Sequence, residues 1–168
     1  ANELYKKINS TLNINYYDYI LGTIAPDISK IINEPREISH FIEKENKLPD
    51  INNFLEKYYS TLTNSFNLGY FIHLYIDKLF FKDYYPLFIQ DGMFTSIVKR
   101  LDGDIIKIRK DDRKKMLYND YSNLNTQLID EYQLNLDLFY NEFIQPKTNI
   151  TEIPVNKLNL LIEEAGII

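Results

Sequence analysis

Apolar residues recur at helical spacing along most of the chain. Leu4, Ile8 and Leu12 are in register and predict a helix over Glu3–Leu12. Tyr16, Tyr19, Ile20 and Thr23 predict a second over Asn15–Ile24, with Gly22 interrupting it near its end. In Ala25–Ile28, Pro26 suits a tight bend or the first turn of a new helix, so Asp27 falls where one element ends and the next begins. Ile28–Asn33 reads as one short apolar helix. Glu34–Ser39, with Pro35 inside it, reads as a connector that delivers His40, and Lys44–Pro49 is a polar segment. Phe54, Leu55, Tyr58 and Leu62 then line one side of a helix that starts at Asp50.

The most apolar helical pattern is Asn67–Phe81, NLGYFIHLYIDKLFF. At about 100° per residue, Gly69, Ile72, Ile76 and Phe80 share a face, Lys78 points away, and His73 and Asp77 lie within that face or beside it. One turn separates the two polar residues, so their side chains can converge. A carboxylate on an apolar face needs a partner, because burying it unpaired is costly. A His–Asp hydrogen bond in the core would meet that need, and so would a shared metal ion. Gly69, one turn before His73, either admits a neighbouring helix or merely weakens its own.

Beyond this helix, Pro86 restarts a helical pattern to about Leu101, with Leu87, Met93, Phe94, Ile97 and Val98 as expected core. Asp102–Gly103–Asp104 is a turn, and Ile105, Ile106 and Ile108 form the one expected extended piece. Asp111–Tyr132 is the longest clean helix. Leu117, Tyr121, Leu124 and Leu128 make its stripe, Asp111 and Asp112 suit its first turn, and Asp120 flanks the stripe. Leu134–Phe143 and Pro154–Ala165 read as two more helices, the last closed by Gly166. The expected fold is therefore all-α, a single multi-helix domain over residues 1–168.

Composition narrows the chemistry. The chain has no cysteine, which excludes disulfides, thiolate metal sites and cysteine nucleophiles. Its net charge is −5, and its densest basic run, Lys107–Lys115, is broken by Asp111 and Asp112, so no nucleic-acid partner is expected. No run approaches the roughly 18 apolar residues of a membrane span, and any membrane contact should be peripheral. The cytoplasm is the expected compartment, with secretion left open for a processed N-terminus. Only two histidines exist, His40 and His73. Any nitrogen-rich metal site must use both, with carboxylates completing it. Asp27, His40, His73 and Asp77 are competent ligands for zinc or a similar divalent ion. Each also has a plainer role. Asp27 can cap the next helix, His40 can bond to backbone, Asp77 can orient His73, and Asp120 can bond to a tyrosine or a helix end.

LGTIAPDI (Leu21–Ile28), SHF (Ser39–Phe41), LGYFIHLYIDKLF (Leu68–Phe80) and YNDYSNLNTQLI (Tyr118–Ile129) together resemble the bacterial zinc-dependent phospholipase C family. More narrowly, they are similar to its branch of small helical hydrolase-like proteins. The resemblance implies an all-α fold, a zinc site deep among the helices, and phosphodiester hydrolysis by a metal-activated water. It implies Asp27, His40, His73 and Asp77 as ligands of one Zn2+, with Asp77 able to bridge to a neighbouring metal. Asp27 or Asp77 would serve as the catalytic base. The secreted enzymes of the family use three zincs, an N-terminal Trp and further histidines. This chain has no Trp and no third histidine, so a second metal would have to draw on Asp120 or another carboxylate. The expected partner is a phosphoester substrate, phospholipid among the candidates. A helical protein with a structural or catalytically degenerate metal site is the alternative.

Overall fold

Two side-chain caps start helices that frame the core. Asn15 accepts a hydrogen bond from the Asp18 amide at 2.9 Å and opens α2 (Tyr16–Ile24), which follows α1 (Asn2–Leu12). In the same way Asp50 accepts from the Asn53 amide at 3.0 Å and opens α5 (Ile51–Tyr58). The structure is a computed structural model that describes residues 1–134, 137, 140 and 142–165. Between α2 and α5, a 3-10 turn over Ala25–Asp27 leads into α3 (Ile28–Ile31), and Pro35 introduces α4 (Arg36–Ser39) where a connector was expected. α6 (Ser65–Leu79) is the central helix and continues into a π-helical stretch over Phe80–Tyr84.

Contacts divide the expected single domain into two compact units, Ala1–Lys78 with Leu136–Ile168, and Leu79–Asn135. In unit one, Phe66, Tyr70 and Leu74 on α6 are buried with Leu21, Ile28, Phe54 and Leu158 in one core. The buried stripe of α6 is thus 66–70–74 and not the expected 72–76–80, since Ile76 is exposed. Gly69, His73 and Asp77 form the neighbouring stripe. Gly22 and Gly69 let α2 and α6 meet backbone to backbone. A Cβ on Gly22 would overlap the Phe66 carbonyl, and one on Gly69 would overlap the Tyr19 carbonyl. Gly69 therefore admits a helix, and Gly22 is an approach point inside an uninterrupted α2. The buried Asn67 donates to Thr61 Oγ1 and Asn149 Oδ1, both at 2.8 Å, and accepts from Thr148, which ties the C-terminal segment onto α6. Further on, a 3-10 turn over Val155–Lys157 leads into α9 (Asn159–Ala165).

Unit two corrects the all-α expectation. The helix restarted by Pro86 lasts only through α7 (Tyr85–Phe88). The chain then forms an antiparallel sheet of β1 (Ile89–Asp91), β2 (Thr95–Lys99) and β3 (Ile105–Arg109), in that order. The predicted extended piece is β3. Residues 95–99, TSIVK, alternate and carry β-branched side chains, and strand pairing outweighs their weak helical period. Of the expected core here only Val98 is buried, while Leu87, Met93, Phe94 and Ile97 are exposed. α8 (Lys110–Tyr132) forms as predicted but has no buried residue. The helix expected over Leu134–Phe143 lies largely outside the described residues, and Gly166 lies wholly outside them. Among the described residues no helix is long and apolar enough to cross a membrane.

Candidate metal centre

The floor of the site is a pair of facing imidazoles. The α2–α6 contact at Gly22 and Gly69 brings the Thr23 carbonyl to 2.8 Å from His73 Nδ1. A carbonyl only accepts, so Nδ1 carries the hydrogen and the Nε2 lone pair of neutral His73 points away from α2. It points at His40 Nε2, 3.2 Å away. His40 follows α4 and is fully buried. Its Nδ1 lies 2.9 Å from Ser39 Oγ, and the Ser39 carbonyl accepts a hydrogen bond from Tyr70 on α6. Phe41, next in the chain, is held at φ 51 by edge contacts to Phe54, Tyr58 and Tyr70. This left-handed turn in a bulky residue is enforced by packing, and it fixes the direction from which His40 enters.

Two carboxylates close the site. Asp27 makes no capping bond to α3. Its Oδ1 lies 3.5 Å from His40 Nε2 and 2.8 Å from Lys30 Nζ. Asp77 Oδ2 lies 3.8 Å from His73 Nε2 and 4.0 Å from His40 Nε2, and it is ion-paired with Arg36 Nη2. Asp77 is thus on the Nε2 side of His73 and does not orient the ring through Nδ1. The imidazoles are the inner wall: His40 is at 0% exposure and the His73 side chain at 12%, against 32% for Asp27 and 22% for Asp77.

Electrostatics follow from this layering. Burial pushes the Asp27 carboxyl up, but hydrogen bonding to His40 and Lys30, with the Lys30 charge, overrides it and holds Asp27 well below the usual carboxylate range. Burial pushes His40 down, more than the hydrogen bond to Asp27 raises it. His40 therefore favours the neutral state that a metal ligand needs. A hydrogen on His40 Nε2 would face both His73 Nε2 at 3.2 Å and Asp27 Oδ1 at 3.5 Å, the position that a divalent ion could take instead.

Asp27, His40 and His73 each offer a ligand atom, all within 4.8 Å of one another, and so can hold a metal ion. Tetrahedral ligands at about 2.0–2.1 Å from zinc stand about 3.3 Å apart. The 3.2 Å His–His and 3.5 Å His–Asp separations fit that donor set, and Asp77 stands slightly farther out. Asp120 lies on α8 in unit two and is exposed, where it had been expected to flank a core. A cavity of about 290 Å³ in unit one, lined by Glu37, Phe41, Glu43, Asp50, Lys57 and Glu152, contains none of the four clustered residues. Four of its nine lining residues are carboxylates and its one lysine is paired to Glu152 at 2.9 Å, so it disfavours an anionic substrate.

Thr23, Lys30, Arg36 and Ser39 were not found from the sequence. The spacing did carry a signal for Lys30, which stands three residues after Asp27, whereas Arg36 pairs with Asp77 from a distant segment. Comparison with protein-family models, curated proteins and solved structures gives no match to this chain.

Proposed function

We propose that Asp27, His40, His73 and Asp77 form the zinc site of a hydrolase acting on phosphoester bonds, with a fold related to zinc-dependent phospholipase C. The observation that carries this reading is the convergence of both histidines of the chain on Asp27, with His40 buried, His73 mostly so and the carboxylates partly exposed. A site closed on all sides would serve structure alone, whereas this one meets solvent along its carboxylate edge. A divalent ion bound there would supply Lewis acidity toward a phosphoryl oxygen and lower the pKa of a water toward about 7.

The chain's own residues do the remaining work. Thr23 and Ser39 aim the two imidazoles. Asp27, held ionised to low pH by His40 and Lys30, is a weak base and would serve as an anionic ligand. Asp77 would serve as fourth ligand or as base, through the same Oδ2 that pairs with Arg36 and faces both imidazoles. Lys30 and Arg36 are paired with Asp27 and Asp77 and balance their charge, so a bound divalent ion would supply the net positive charge that meets a phosphate.

The test is turnover of a chromogenic phosphodiester by stripped protein with and without added zinc. Activity that returns with zinc and is lost in His73→Ala supports the proposal. Stoichiometric zinc binding without turnover of any phosphodiester would leave a structural or degenerate metal site in its place.

A further inference from the structure

The outward face of the sheet in unit two combines exposed apolar side chains with cations. On β2, Ser96 and Val98 are buried, and Thr95, Ile97 and Lys99 alternate with them. On β3, Ile105, Lys107 and Arg109 are exposed and alternate with half-buried Ile106 and Ile108. The antiparallel register sets Ile97 opposite Lys107, Lys99 opposite Ile105 and Thr95 opposite Arg109. On β1, Gln90 opposes Ile97. The face is thus a checkerboard of isoleucine and cation with no carboxylate at an outward strand position. Asp91 opposes the buried Ser96 on the inner side and is bound by Arg113 at 2.9 Å. Arg109 is engaged by Asp112, which leaves Lys99 and Lys107 as the charges of the face.

The hairpin loops add exposed apolar residues, and the β2–β3 loop also carries the exposed Asp102 and Asp104. Met93 and Phe94, between β1 and β2, are 80% and 77% exposed, and Leu101, between β2 and β3 beside Arg100, is 94% exposed. Single exposed apolar residues need no account, but this set surrounds one small sheet. Residues 89–115 hold eight cationic side chains against five carboxylates, in a chain whose net charge is −5.

We propose that this sheet face docks on an anionic lipid surface. Phe94, Met93 and Leu101 enter the headgroup–acyl boundary, while Lys99 and Lys107 lay their stems along the apolar surface and place their ammonium groups among lipid phosphates. Charge complementarity selects the anionic membrane. The apolar groups select lipid over nucleic acid, because Phe94 is the one aromatic ring among isoleucine, leucine and methionine, which give bases nothing to stack on, and the face has no cationic groove that tracks a backbone. The inference stands on unit two alone and does not need the metal centre.

Co-sedimentation of the full chain with vesicles tests it. One vesicle set is phosphatidylcholine alone, and the other contains about one-third phosphatidylserine. The expected result is binding to the anionic vesicles that weakens with salt. Loss of each lysine should lower it about fivefold, so Lys99→Glu with Lys107→Glu should lower it about 25-fold or more. Phe94→Ser with Leu101→Ser should also release the protein, and circular dichroism should show all variants folded, since every substituted side chain is exposed. No sedimentation with either vesicle, equal binding to phosphatidylcholine alone, unchanged binding by both folded variants, or tighter binding to an oligonucleotide would each overturn the proposal.

Discussion

The same helical spacing has opposite outcomes in the two units. On α6, Phe66, Tyr70 and Leu74 recur every fourth residue and are fully buried. On α8, Tyr121, Leu124 and Leu128 recur at three and four, and all three are exposed. Periodicity sets where a helix can present an apolar face, but a second element must cover that face before it becomes core. In unit one the cover is close. Gly22 and Gly69 bring two backbones into contact, and the same contact aims His73 through the Thr23 carbonyl. The two histidines sit where packing is tight enough to hold an imidazole in one tautomer.

Substitution in each unit can break that contrast. Phe54 is fully buried, stacked on Tyr70 with ring centres 5.7 Å apart and edge-on to Phe41 at 5.3 Å. Phe54→Ala should cost about 3–5 kcal/mol in denaturant unfolding, whereas Leu124→Ala on α8 should stay within about 0.5 kcal/mol. Equal costs would mean that α8 is covered in solution. A smaller effect is expected from the glycines. Gly69→Ala forces α2 and α6 apart and should cost about 1–3 kcal/mol. Gly103, at φ 95 with nothing within 4 Å of an added Cβ, should cost about 1 kcal/mol as alanine, from backbone strain alone.

The smallest effect concerns pH. Burial pushes Glu152 up, but the hydrogen bond from Tyr58 at 2.6 Å and the ion pair with Lys57 at 2.9 Å hold its carboxyl below its ordinary value of 4.5. A group lowered by folding stabilises fully above pH 4.5, and that stabilisation is lost as pH falls through the lower folded value. Glu152→Gln should therefore reduce stability by about 1 kcal/mol at neutral pH and flatten the acid limb below pH 4.5, read from denaturant midpoints. An unchanged acid limb would place the unfolding protons elsewhere.

Much of this was legible in the residues, for physical reasons. The helices α1, α2, α5, α6 and α8 show in their apolar period, His40 and His73 stand out through histidine scarcity, His73 with Asp77 through the turn-apart spacing on α6, and Asp27 through its place at an element junction beside Pro26. The β1–β2 hairpin did not show, because Leu87, Met93, Phe94 and Ile97 mimic a helical face while TSIVK decides for strand. Asp120 was misplaced for a related reason: a position beside an apolar stripe is sheltered only when the stripe is covered. Arg36 and Ser39 were hidden by α4, a one-turn helix behind Pro35 too short to leave a period.

The most direct measurement is zinc per chain by mass spectrometry after dialysis against metal-free buffer, repeated with added zinc, for the wild type and for His40→Ala, His73→Ala and Asp77→Asn. The account predicts about one equivalent in the wild type, none in either histidine variant, and weakened retention in Asp77→Asn. A wild type that takes up no zinc even when zinc is added, or histidine variants that hold it as well as the wild type does, would contradict the account and leave the facing imidazoles as a proton-linked pair in the core.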